Sequence, residues 1–127
     1  MRLTTWRCAL ALCMAMVLVL SLMPPSSSIP TTGWDKSNHM LAFAVLALLS
    51  HWAWPGRTAR ALIALLAFGG LIEVLQSFTP DRYADFADLV ADGIGLAAGE
   101  VIARIAVLCR PEWRASGRHA SSARDPG

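Results

Sequence analysis

The chain has 127 residues, of which 55% are hydrophobic and 16% charged, with a mean hydropathy of +0.48. That is room for one compact domain and more apolar surface than a soluble domain of this size can hide, so composition places it in the membrane class. The net charge of +2 names no partner by itself, and no nucleic-acid partner is expected.

Four apolar runs follow in chain order: residues 4–23, 35–54, 59–78 and 86–108. Each is close to the ~20 residues that a helix needs to cross a bilayer. Helices are the expected form because lipid leaves backbone groups to be satisfied within each segment. Pro24 and Pro25 end the first run, Pro55-Gly56 ends the second, Pro80 the third and Pro111 the fourth. The first run has a basic start (Arg2, Arg7) and could be read as a signal peptide. However, "SLMPPSSSIP" lacks a small-x-small cleavage site at the right distance, and an uncleaved anchor is the favoured reading. "PPSSSIPTTG", residues 24–33, reads as an irregular extracytoplasmic loop. The predicted fold is all-α: a polytopic membrane bundle of four transmembrane helices over residues 1–110. A disordered basic cytoplasmic tail follows at 111–127, "EWRASGRHASSARDPG" from Glu112 on. His119 in that tail receives no role. Cys8, Cys13 and Cys109 sit in or beside apolar runs, an odd set with neither disulfide nor zinc spacing.

Basic residues orient these runs. Arg2, Arg7, Arg57, Arg60, Arg110, Arg114, Arg118 and Arg124 flank them on one side, and only Lys36 and Arg82 on the other. Arg104 lies within the last run. Both termini are therefore expected in the cytoplasm, with the protein multi-pass in the membrane. Trp6, Trp34, Trp52, Trp54 and Trp113 all fall near run ends, where an interfacial aromatic belt belongs.

On this topology the polar residues collect at the extracytoplasmic end. Asp35, Lys36 and His39 open the second run, and Glu73 and Gln76 close the third. Asp81, Arg82 and Asp85 fill the next connection, and Asp88 and Asp92 open the fourth run. Helical spacing puts Glu73 and Gln76 on one face with Gly69 a turn before them. Asp85, Asp88 and Asp92 form a stripe that continues into Gly95 and Gly99, a GxxxG pattern that admits close helix approach. The third run is the expected neighbour for that stripe. Six acids against two bases near lipid require compensation by a bound proton, a charged His39 or a cation. The structural alternative is that these groups cap helices and clamp the bundle, with Asp88 capping the fourth helix.

The stretches "WDKSNHMLAF" and "GGLIEVLQSFTPDRYADFADLVADGIGLAAGE" carry D-K-x-x-H, E-x-x-Q, a loop Arg, an Asp and spaced glycines. Over residues 34–100 the chain resembles the VanZ-like family of small bacterial membrane proteins. In this sequence those positions are Asp35, Lys36, His39, Glu73, Gln76, Arg82, Asp88, Gly95 and Gly99. Asp92 stands where the family often has Asn, which adds a negative charge and removes an amide donor. The naming member of the family is associated with low-level teicoplanin resistance, so the resemblance implies an envelope role and supplies no reaction.

The expected function is therefore binding of an amphiphilic envelope component, a membrane lipid or lipid-linked precursor, at a carboxylate-rich extracytoplasmic site. The functional cluster is Asp35, Lys36, His39, Glu73, Gln76, Arg82, Asp88 and Asp92, with Gly69, Gly95 and Gly99 as packing positions. The acid excess favours a cationic or sugar-bearing group, or phosphate bridged by a divalent metal. No metal-ligand spacing stands out along the chain, and no cofactor is expected. One alternative is a membrane enzyme on a lipid-linked substrate, with His39 and Asp88 or Glu73 as acid–base pair and Lys36 and Arg82 stabilising negative charge. No nucleophile or phosphatase motif supports it: Ser37 and Ser77 lack a triad context. The other is a structural, transport or proton-relay role, for which the deeper groups are His51, Glu100 and Arg104, the last two at pairing distance of four residues. Homo-oligomerisation stays open. Reporter fusions after Pro30 and after Pro80 are expected to read outside and a C-terminal fusion inside. The opposite result at any one of them breaks the four-span topology.

Overall fold

The computed structural model describes residues 2–23, 35–79 and 84–109. Among these the secondary structure is four helices and no strand: α1 Leu3–Leu22, α2 Asp35–Ala53, α3 Thr58–Gln76 and α4 Phe86–Leu108. The expected helices are present within one or two residues at each end. The reading of 24–33 as a loop and of 111–127 as a tail, and the positions of Asp81 and Arg82, lie outside the described residues, as does the side chain of Asp35. Gly56, at φ 77°, makes the turn from α2 to α3, a backbone conformation that costs glycine little. Asp85 caps α4 with its side chain, which accepts from the Ala87 amide at 2.8 Å. Asp88, the cap in the structural alternative, lies in the first turn.

The helices run alternately up and down. The start of α2 meets the start of α4, through Lys36 and Asp88 and through His39 and Asp92. The start of α1 meets the end of α2, through Trp6 and Trp52. α2 touches all three other helices, and its contact with α4 is the most extensive in the molecule. That contact corrects the expected neighbour of the glycine stripe: Gly95 and Gly99 face α2 and not α3. A Cβ at Gly95 would strike the Met40 carbonyl, and one at Gly99 the Ala44 carbonyl. Met40 and Ala44 are one turn apart, as are the two glycines, so two parallel helices meet backbone to backbone in register. Side chains could not interpose there, and α3 contributes its glycine elsewhere: Gly69 leaves the space taken by the Asp92 carboxylate.

Around this seam the buried apolar side chains are Phe43, Leu46, Ala47 and Ala53 of α2, Leu65 and Ile72 of α3, Leu96 of α4 and Leu10 of α1. α1 is fastened at its base. Arg7 Nε donates to the Ala53 carbonyl at 3.2 Å, satisfying an acceptor at the end of α2, and the guanidinium lies 4.1 Å from the Trp54 ring centroid. At the other end Gln76 Nε2 donates to the Ser21 carbonyl at 2.9 Å, tying α3 to the end of α1.

The outside of the bundle is apolar. Leu12 and Ile63 are each 70% exposed, and Met16, Val19, Leu20, Leu71, Val74, Val101, Ile102 and Ile105 are exposed as well. α1 and α3 are long and apolar enough to cross a membrane by length and composition, yet only 6% and 22% of those stretches are buried in the bundle. A core helix of a soluble protein would have its apolar face covered. α2 and α4 are interrupted by the polar groups they carry into the interior.

Replacing Gly99 by Leu is expected to cost at least about 1–3 kcal/mol through overpacking, read as a lower thermal midpoint in detergent. Gly70→Ala, where a Cβ meets nothing within 4 Å, is expected to leave the midpoint unchanged or raise it. Equal behaviour of the two variants would contradict the close seam.

Candidate functional site

The α2–α4 seam opens, at the end where both helices begin, into a cluster of charged side chains. His39 Nδ1 lies 3.0 Å from Asp92 Oδ1, and both residues are buried. One turn outward, Lys36 Nζ donates to Asp85 Oδ2 at 2.8 Å and to Asp88 Oδ1 at a longer 3.5 Å. From α3, Glu73 Oε2 accepts the Asp85 backbone amide at 2.9 Å, so this carboxylate holds the start of α4 in place. Exposure falls steadily inward: 50% for the Asp85 side chain, 38% for Lys36, 12% for Asp88, then His39 and Asp92 buried. The cluster thus grades from solvent-exposed side chains to buried ones.

Two oxygens in this cluster are buried without a hydrogen-bond partner, Glu73 Oε1 and Asp92 Oδ2. An unpaired buried carboxylate oxygen is costly. Three groups from three helices, His39 of α2, Glu73 of α3 and Asp88 of α4, also bring one ligand-capable atom each to within 4.8 Å of one another. This grouping is invisible to linear spacing, because each ligand comes from a different helix and none repeats a metal-binding pattern.

Outside the interior, Asp85 titrates below the ordinary carboxylate range. The Lys36 hydrogen bond is the main cause, and the Ala87 amide adds to it.

A second polar group lies toward the opposite end. Glu100 Oε1 accepts from Arg104 Nε at 2.7 Å, as the four-residue spacing anticipates, and Glu100 Oε2 lies 3.0 Å from His51 Nδ1. The His51 partner was not legible in sequence, since it depends on the α2–α4 register. Between the two polar groups the interior is Phe43, Leu46, Ala47 and Leu96, an apolar layer.

Of the sequence-derived cluster, Lys36, His39, Glu73, Asp88 and Asp92 come together directly. Gln76 lies on the same buried face of α3 as Glu73 but turns its amide to α1. Arg82 and the Asp35 side chain lie outside the described residues. Asp85, at the exposed edge of the cluster, caps α4 and pairs with Lys36 through its side chain and donates its backbone amide to Glu73. Gly69, Gly95 and Gly99 are all close-approach positions.

An all-helical bundle with two helices able to cross a bilayer, apolar outside and carrying charge at its ends, defines a small helical protein of membrane type. The chain belongs to the VanZ/LLP1 family, whose model matches residues 6–107 and so takes in nearly all of the four helices. Neither a curated protein nor a solved structure matches it.

The depressed Asp85 fixes the sign of one pH effect. Its folded-state value lies below its unfolded one, so the Lys36 tie contributes stability above the ordinary carboxylate range and loses it as pH falls through the folded value. Asp85→Asn keeps a good N-cap while removing the charge. Its thermal midpoint is expected to fall slightly short of wild type at neutral pH, by the small margin of an exposed pair, and to converge with it below the carboxylate range. A constant gap across that range would contradict the charge assignment.

Proposed function

We propose that this protein is a four-span inner-membrane protein, both termini cytoplasmic, that binds the polar group of an amphiphilic envelope component at its extracytoplasmic face. The observation that carries this reading is the graded polar cluster: a surface-exposed Lys36–Asp85 pair, then Asp88, then buried His39 and Asp92. The same helices carry exposed apolar residues near it, Leu71, Val74 and Val90. A headgroup with hydroxyl or ammonium donors would meet carboxylate acceptors, and its chains would lie along the lipid-facing surface. Lys36 would take any anionic part. Uncleaved retention of α1 is supported by its fastening at both ends, through Arg7 and Ser21.

The packing of α2 and α4 against the two apolar helices supports four spans. The interior charges of α2 and α4 are turned onto each other along the seam, which lowers the cost of carrying them in lipid. The apolar layer of Phe43, Leu46, Ala47 and Leu96 weighs against a proton path between the ends. The family resemblance makes lowered glycopeptide susceptibility the natural phenotype of such a binder.

Native purification with lipid mass spectrometry tests the reading. Wild type is expected to retain one headgroup class that the Glu73→Ala/Asp88→Ala double variant loses, while both retain bulk phospholipid. Identical lipid profiles from folded wild type and variant would remove the binding role and leave the cluster as a clamp.

A further inference from the structure

Beyond headgroup binding, and standing without it, we propose that His39, Glu73 and Asp88 hold a divalent transition-metal ion of the Zn2+ class, with Asp92 as the residue that positions the histidine. Three observations meet here. The ligand-capable atoms of these three residues lie within 4.8 Å of one another, and all three residues are buried. Zn–N and Zn–O bonds of about 2.0–2.2 Å at tetrahedral angles put ligand atoms about 3.3–3.6 Å apart, so closing on an ion draws these side chains together by up to about 1.5 Å. The second observation is independent of the grouping: Glu73 is 94% buried by its 6% exposure, and its Oε1 has no hydrogen-bond partner. A cation supplies the missing partner.

The third is the pair behind the imidazole. Asp92 Oδ1 engages His39 Nδ1 at 3.0 Å, which assigns coordination to Nε2. A carboxylate behind a ligating histidine fixes its tautomer and raises its basicity. Asp92 stands fully buried in the gap left by Gly69, so the imidazole is held from behind by a group that packing fixes in turn. Charge points the same way. Among the described residues the only lysine or arginine at this end is Lys36, already shared by Asp85 and Asp88, against the three buried acids Glu73, Asp88 and Asp92. One nitrogen and two carboxylate ligands favour a first-row ion over Ca2+ or Mg2+, which prefer all-oxygen sites.

The test uses the full-length protein in detergent after chelation, with no lipid added, so that its outcome is separate from headgroup binding. Calorimetric titration with ZnCl2 is expected to give one ion per chain, bound more tightly than CaCl2. Asp92→Asn is expected to weaken Zn2+ by about 10–100-fold, and Glu73→Gln by more, while Glu100→Gln at the opposite end leaves binding unchanged. X-ray absorption of the Zn2+-loaded wild type, which needs no variant to fold, is expected to show a single imidazole among oxygen ligands. No saturable Zn2+ binding, a first shell without imidazole, or equal affinity in folded Glu73→Gln and wild type would each overturn the proposal.

Discussion

The closeness of two parallel helices governs this molecule. Gly95 and Gly99 bring the α4 backbone against the carbonyls of Met40 and Ala44 on α2. Without a hydrophobic driving force between helices in lipid, such contacts hold by packing at short range, which only small residues permit. The register that the glycines impose then decides which polar groups can meet. His39 faces Asp92 and Lys36 faces Asp88 at one end; His51 faces Glu100 toward the other. Slipping α4 by one residue would rotate its acids by about 100° and take Asp88, Asp92 and Glu100 away from Lys36, His39 and His51.

α3 and α1 complete what the seam begins. α3 supplies Gly69, which makes room for Asp92, and Glu73, which anchors the start of α4 through the Asp85 amide. α1 adds few buried side chains but is tied at both ends, to Ala53 and to Gln76. Glu73 anchors a helix with one oxygen and leaves the other unpartnered. Asp92 faces an imidazole nitrogen, and its buried carboxyl is balanced by that imidazole, by a proton or by an ion.

Much of this was legible in the sequence, for identifiable reasons. The four helices follow from apolar runs cut by Pro and Gly, and those signals are local. The gathering of Lys36, His39, Glu73, Asp88 and Asp92 follows from their all lying at the same end of alternating helices. The partner of the glycine stripe was not legible. Chain adjacency favoured α3, but the small faces that match are Gly95–Gly99 and Met40–Ala44, and i, i+4 spacing does not say which neighbouring helix will meet it. The ties of Asp85 to Lys36 and Glu73 and the convergence of His39, Glu73 and Asp88 escaped for a related reason: both depend on contacts across three helices. Arg104 with Glu100 was readable because it lies within one helix.

A double-mutant cycle between His39→Ala and Asp92→Ala, read as unfolding free energy in detergent, probes most directly whether the α2–α4 register builds the site. Residues in contact within one polar network are expected to couple by about 0.5–3 kcal/mol, with the double variant less destabilised than the sum of the two single ones. Additivity within about 0.3–0.5 kcal/mol would contradict the register and with it the arrangement of the site.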